Sequence, residues 1–155
     1  MAVIKGYIES AGLSRIWQYT QDYPCGTISA FRPDYTRKEN KYRSSVLGGL
    51  LRNKGFSTIS VMGHFKYPDG KIDKENSYFV WDTRGNGKAL FKALLDLGEK
   101  FEQNSITFAE AGEDFKLYAT NPDETGLPVG KPIATFKGTA FGDTKGSPSY
   151  SEIRG

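Results

Sequence analysis

The pattern of apolar and polar residues predicts alternating strands and helices along the middle of the chain. Apolar residues at every second position are typical of strands, and apolar residues that recur three and four positions apart are typical of helices. The predicted strands are residues 26–31, 57–67, 77–82, 105–109 and 115–120, with helices after Thr36 and after Asn86. Up to the fourth strand, the order is β-α-β-β-α-β, the split arrangement of ferredoxin-like folds. We therefore expect an α+β fold, a ferredoxin-like sheet with both helices on one face.

The first helix has the clearest local signals. Thr36 and Glu39 have the spacing of a capping box, in which the threonine hydroxyl accepts a backbone N–H and the glutamate reaches back to the cap. Gly55 is expected to end the helix, because glycine readily adopts the left-handed conformation found there. The apolar residues expected to face the sheet are Tyr42, Val46, Leu47, Leu50 and Leu51.

The hairpin and the second helix are also marked by turn and cap residues. Pro68-Asp69-Gly70 predicts a tight turn between the second and third strands. Asn86 is expected to cap the second helix. The apolar residues of that helix are Leu90, Phe91, Leu94, Leu95 and Phe101.

The two ends of the chain have weaker patterns. Residues 1–24 are expected to form a helical N-terminal arm that stops at Pro24, because the residue before a proline avoids the helical conformation. Residues 132–136 are expected to add an edge strand, and 138–155 to form a flexible C-terminal segment. We therefore expect a single domain over residues 1–155, with a core at about 25–120.

Composition narrows the class of protein. No apolar run reaches the roughly 18 residues of a membrane span, and the N-terminus lacks the apolar region of a signal peptide. Cys25 is the single cysteine, so no internal disulfide and no zinc cluster is expected. We expect a cytoplasmic protein (in the host cytoplasm if it is phage-encoded) with no cofactor, no metal and no membrane partner. The net charge of +3 is too small for a dedicated nucleic-acid binder.

Few residues are candidates for catalysis. His64 is the only histidine and therefore the natural general base near neutral pH. With Glu75 as the acid or orienting group, it would suit a small hydrolase acting on a phosphate ester. A structural histidine on a strand explains His64 as well, and the lone Cys25 has the surroundings of a packed residue rather than a nucleophile.

Polar residues at strand ends and at the start of the first helix form a distributed set. If the strands pair as predicted, several of these residues converge near one end of the sheet. Arginines in such a cluster suit recognition of a carboxylate or phosphate, and the same residues suit an internal structural network. The members are Ser29, Arg32, Asn40, Arg43, Glu75, Ser77, Gln103 and Ser105.

Aromatic residues on the hairpin offer a second way to bind a partner. Tyr67, Tyr78 and Trp81 are expected to be exposed, and aromatic side chains are common anchors at protein interfaces. The aromatic pattern of a typical RNA-binding sheet is absent. A protein partner is therefore favoured over a nucleic acid.

Several short motifs occur in a fixed order: Ser29-Ala30-Phe31, Glu39-Asn40, Val61-Met62-Gly63, Glu75-Asn76-Ser77 and Phe101-Glu102-Gln103-Asn104-Ser105. In this order the chain resembles, over about residues 25–120, a small family of bacterial and phage proteins defined only as a domain of unknown function. The resemblance implies the predicted fold and a small phage-encoded protein, and it brings no activity. The leading prediction is a non-catalytic accessory or regulatory protein that contacts a host or viral macromolecule. The alternatives are the hydrolase that uses His64 and Glu75, and a weak nucleic-acid binder.

Overall fold

The computed structural model describes residues 10–66, 72–136 and 149–153 of the chain. The predicted turn at 68–70, residues 2–8 of the arm and most of the C-terminal segment lie outside these residues. The helices and strands are, in order, α1 (Ser10–Asp22), β1 (Cys25–Ser29), α2 (Arg37–Asn53), β2 (Ser57–Lys66), β3 (Ile72–Trp81), α3 (Gly87–Lys100), β4 (Ser105–Ala109), β5 (Phe115–Ala119), α4 (Pro122–Thr125), β6 (Pro132–Phe136) and β7 (Ser149–Ile153).

The strands form one antiparallel sheet in the order β6-β5-β4-β1-β3-β2-β7. Its four central strands, β4-β1-β3-β2, are those of the split βαβ arrangement, with α2 and α3 as the crossovers. The predicted α+β class is therefore confirmed. The predicted edge strand is β6, and β7 lies at the other edge, within the segment predicted to be flexible.

Helix α2 begins with the predicted capping box. The Thr36 hydroxyl accepts the backbone N–H of Glu39 at 3.1 Å, and the Glu39 carboxylate accepts the backbone N–H of Thr36 at 2.9 Å. That backbone hydrogen bond holds the pKa of the Glu39 carboxyl below its usual value. The cap of α3 is also as predicted, since Asn86 accepts the N–H of Ala89 at 3.0 Å.

The buried side of α2 differs from the predicted stripe. Tyr42 was expected to face the sheet, but it is 72% exposed. The helix instead approaches the sheet through Gly48, where an added Cβ would lie 2.6 Å from the hydroxyl oxygen of Tyr78. The same hydroxyl donates to the carbonyl of Ser44 at 2.9 Å. This close approach rotates Tyr42 to the outside. The buried residues of α2 are Asn40, Ser44, Leu47, Gly48 and Leu51.

Apolar side chains cover both faces of the sheet. On one face, Leu47 of α2 and Leu94 of α3 pack with Ile28 and Val80 in the main core. On the opposite face, Ile16 of α1 packs with a second cluster that contains Cys25, Phe79 and Trp81. The helical part of the predicted arm is therefore a third layer of the fold.

Two of the three aromatic residues predicted to be exposed are covered. Trp81 is only 8% exposed, because the Tyr19 ring of α1 stacks on it with centroids 4.3 Å apart. Tyr78 is half-buried against α2, and Tyr67 lies outside the described residues. The described part of the hairpin therefore lacks the aromatic anchors expected for a protein partner. No helix in residues 10–66, 72–136 or 149–153 is long and apolar enough to cross a membrane.

Candidate functional site

Four of the predicted polar residues lie where β1 ends, between the start of α2 and the end of α3: Arg32, Asn40, Arg43 and Gln103. Arg43, on the second turn of α2, holds these segments together: its Nε donates to the carbonyl of Ala30 at 2.9 Å and its Nη2 to the carbonyl of Phe101 at 2.6 Å. Its guanidinium lies 4.5 Å from the ring centroid of Tyr35. The side chain is 17% exposed, so these interactions are largely shielded from water.

Glu102 adopts an uncommon backbone conformation beside Arg43. Its φ of +57° is the only positive value at a non-glycine residue among the described positions. Its carboxylate accepts the Tyr35 hydroxyl at 3.2 Å and lies 3.6 Å from Nη1 of Arg43. Its carbonyl accepts Nη1 of Arg32. These contacts hold a conformation that is otherwise disfavoured for a residue with a Cβ.

Arg32 is also fully engaged. Besides the carbonyl of Glu102, it contacts the carboxylates of Asp34 at 2.9 Å and Glu124 at 3.0 Å. The hydrogen bond from Arg32 lowers the pKa of the Asp34 carboxyl. We call Arg32, Arg43 and Glu102 the arginine clamp. Because the guanidinium donors already have partners, the contacts favour the structural interpretation of the two arginines over the binding of an anion.

Two buried amides complete the backbone pairing beyond the end of β1. The Asn40 side chain accepts the N–H of Arg32 and donates to its carbonyl, both at 2.9 Å. Gln103 donates to the carbonyl of Phe31 at 3.1 Å. The side chains therefore do what a neighbouring strand would do, and they fix the path of the chain from β1 into α2.

A second polar group, the hydroxyl cluster, consists of Thr27, Ser29, Ser77 and Thr107. All four occupy the sheet face opposite α2 and α3, because they alternate along their strands with residues of the main core. Thr27 and Thr107 are opposite each other on β1 and β4, and their hydroxyls are hydrogen-bonded. The sequence analysis did not single out these two threonines. The predicted strand order makes β1 and β4 neighbours, and this was the signal that could have identified the pair.

Within the hydroxyl cluster, Ser29 and Ser77 differ in their bonding although they are opposite each other on β1 and β3. The Ser29 hydroxyl donates to the carbonyl of Asn76 at 2.8 Å and accepts the N–H of Phe31 at 3.0 Å. Ser77 is 8% exposed, yet its hydroxyl forms no hydrogen bond with the described residues. A buried hydroxyl without a partner is costly, so Ser77 is the member of the cluster most in need of a ligand.

The remaining predicted residues lie on the same strands. Glu75 is two positions before Ser77 on β3, and Ser105 is two positions before Thr107 on β4. His64 is opposite Lys74 on β2, whereas Glu75 is opposite Gly63. His64 and Glu75 are therefore one position apart in the backbone register of the two strands. Their role as the base and acid of a hydrolase stays a prediction.

Cys25 is expected to be unreactive in the folded protein. The side chain is fully buried, and burial raises the pKa of its thiol to about 12. Because the thiolate is the reactive form, we expect almost no alkylation by iodoacetamide from pH 7 to 9, and complete alkylation in denaturant. Mass spectrometry measures both. Rapid labelling of the native protein that increases with pH would show instead that the thiol is accessible.

No group of three or more His, Cys, Asp or Glu side chains in the described parts of the chain is arranged to hold a metal ion.

A comparison with protein families gives the decisive result. The model of the S-adenosylmethionine lyase family matches residues 26–154. The chain belongs to the S-adenosylmethionine lyase family.

This membership corrects two predictions. The family has a named activity, so the resemblance to a family of unknown function was wrong in that respect, and an uncharacterised, non-catalytic accessory protein is the wrong class. The hydrolase alternative is not the family's activity either.

Among solved structures, a phage SAM lyase in complex with S-methyl-5'-thioadenosine is similar over 74% of this chain and 85% of that chain, with 17% identity and a TM-score of 0.34. A search of curated proteins finds no match.

Proposed function

We propose that this protein is itself an S-adenosylmethionine lyase, which cleaves a carbon–sulfur bond of the substrate sulfonium without adding water. The observation that carries the proposal is the family match over residues 26–154, which begins in β1 and includes the rest of the sheet through β7. The match includes both the arginine clamp and the hydroxyl cluster.

The reaction requires few catalytic groups from the protein. When the bond from sulfur to the amino-acid chain breaks, its electron pair stays on sulfur and gives a neutral thioether. As the bond breaks, either a basic group takes a proton from the neighbouring carbon and a double bond forms, or the substrate's own carboxylate attacks the carbon that leaves sulfur and closes a lactone. Both routes balance without water or a co-reactant. The enzyme's contribution is therefore to bind and orient the substrate and to exclude water.

We place the amino-acid end of the substrate at the hydroxyl cluster. The buried hydroxyl of Ser77, which has no hydrogen-bond partner among the described residues, supports this, since it can donate to a carboxylate. Glu75, two positions along the same strand, supplies a negative charge suited to an ammonium or sulfonium group. The arginine clamp has a supporting role in the proposal: it fixes the chain just after Ser29, and its cations are already paired.

Ser77→Ala is expected to lower kcat/KM about tenfold or more, because a hydrogen bond to a charged group is worth about 1.5–3 kcal/mol. It is expected to keep or slightly raise the free energy of unfolding, since it removes a buried hydroxyl that has no partner among the described residues. The matched control is Ser29→Ala, which removes two internal hydrogen bonds and should reduce stability. Steady-state kinetics and urea unfolding of both variants measure the effects. Wild-type kcat/KM in Ser77→Ala would place the substrate elsewhere.

The activity itself is tested by incubating the purified protein with S-adenosylmethionine and identifying products by liquid chromatography and mass spectrometry at early times. A lyase gives a thioether and an amino-acid fragment that is lighter by one water than homoserine. An enzyme-free sample measures spontaneous breakdown. Homoserine as the first product, carrying oxygen-18 from labelled water, would identify a hydrolase, and the absence of turnover above the enzyme-free rate would reject the proposal.

A further inference from the structure

The outward face of α2 is basic. It consists of Arg37, Lys38, Lys41, Tyr42 and Arg52, all of which are exposed. None of its four cations forms an ion pair with another described residue. The acidic residue of the helix, Glu39, is occupied by the capping box.

The charge of the protein is concentrated on this helix. Residues 37–54, the helix and its C-cap residue, contain six Lys and Arg and one Asp or Glu, out of 21 and 18 in the whole chain. The remainder therefore carries 15 basic and 17 acidic residues, so it is slightly negative. The net charge of +3 is therefore the sum of a strongly basic helix and a slightly acidic remainder of the chain.

The neighbouring helix α3 provides the contrast. Its exposed charged residues are three lysines and two acidic residues, and Lys92 forms an ion pair with Asp96 at 3.1 Å. Glu99 lies next to Lys100 at the end of the helix. The lysines of α3 are therefore partly compensated, and an anion gains less from them than from the lysines of α2.

The shape of the face suits a flexible polyanion. Lys38 and Arg52 are 14 positions apart, which is about 21 Å along a helix. Between them, Gly49 has nothing within 4 Å of an added Cβ, so the middle of the face is open. Insertion into a membrane is disfavoured, because the apolar residues Leu47 and Leu51 are fully buried in the core.

We propose that the outward face of α2 binds single-stranded nucleic acid. Lys38, Lys41 and their neighbouring arginines contact the phosphates, and the 72% exposed ring of Tyr42 stacks on a base. An aromatic ring beside uncompensated cations is the combination used by proteins that bind single strands without sequence preference. The proposal is independent of lyase activity, since no residue of this face belongs to the clamp's ion pairs or to the hydroxyl cluster.

The test is the binding of a fluorescein-labelled oligo(dT) strand, measured by fluorescence anisotropy over a series of salt concentrations. We expect Lys38→Gln with Lys41→Gln to weaken binding and to reduce the salt slope by about 1.4, the value for two lost single-strand phosphate contacts. Tyr42→Ala should weaken binding about fivefold or more with the slope unchanged. Lys88→Gln with Lys92→Gln, on α3, is the matched control and should bind like the wild type.

The outcomes separate this surface from its alternatives. Absence of binding at low salt, or equal loss in the α2 and α3 double variants, would overturn the proposal. Binding of polyglutamate as tight as that of oligo(dT) would also overturn it and indicate an acidic protein partner. Thermal unfolding of every variant checks that the fold is intact, which is expected because the changed side chains are exposed.

Discussion

Replacing Gly26 with alanine is expected to lower the free energy of unfolding by about 3 kcal/mol or more. Gly26 lies in β1 at the centre of the sheet, opposite Val80 on β3 and Phe108 on β4. A Cβ at this position would lie 2.2 Å from the backbone carbonyl oxygen of Thr107 and 2.6 Å from Cδ1 of Leu94. Since one of these atoms belongs to the backbone, a rotamer change cannot relieve the overlap.

Denaturant unfolding of matched glycine variants measures the effect. Gly49→Ala, on the open side of α2, should stabilise the protein by about 0.5–1 kcal/mol, because alanine is favoured over glycine inside a helix. Gly48→Ala should fall between the two, since it displaces only side chains, those of Tyr78 and Arg52. Wild-type stability in Gly26→Ala would contradict the close contact between β1, β4 and α3.

Removal of the Arg43 guanidinium is expected to cost about 3 kcal/mol of stability. Arg43→Ala leaves the carbonyls of Ala30 and Phe101 without this donor and leaves the carboxylate of Glu102 without its cation. The stacking on Tyr35 is lost as well. Urea unfolding, followed by circular dichroism, gives the change in free energy.

Two further variants show whether the geometry of the clamp causes this loss. Arg37→Ala, at an exposed position of the same helix, should change stability by less than about 0.5 kcal/mol. Arg43→Lys keeps the charge but has a single nitrogen, so it should restore only part of the loss. A fully stable Arg43→Lys would show that charge alone matters, and a fully stable Arg43→Ala would show that the clamp does not hold the fold.

The order of strands and helices was predictable because its signals are local. The capping box of Thr36 and Glu39, the cap at Asn86 and the alternation of Ser57–Lys66 each depend on residues close together in the chain. These signals do not depend on what the element later packs against. The class and the central strand order follow from them together with the rules of connection.

The predicted site was only partly recoverable because its contacts join distant parts of the chain. Arg43 bonds to Phe101, and Arg32 pairs with Glu124, 92 residues further on. Helical spacing alone assigned Tyr42 to the core, whereas the contact of Gly48 with Tyr78 decides which side of α2 is buried. The local pattern predicts an exposed Trp81, because the stacking of Tyr19 on it depends on the position of α1.

No short motif in the sequence indicates the proposed activity. Cleavage of a sulfonium that already carries its leaving group requires no nucleophile–base pair, so a search for paired His, Cys and carboxylate residues looks for the wrong chemistry. The hydroxyl cluster depends on four residues from three strands, and each of them is unremarkable in its own segment. The family comparison integrates such weak signals over residues 26–154.

The position of β7 beside β2 has a consequence for synthesis of the chain. Strand β2 ends at Lys66 and β7 begins at Ser149, so residues 67–148 must be made before this edge of the sheet can be paired. At about 5–20 residues per second, that interval lasts roughly 4–16 s. During this time the outer N–H and C=O groups of β2 are a template for any other strand. The unfinished chain, more than the finished protein, is therefore the form most prone to aggregate on the ribosome.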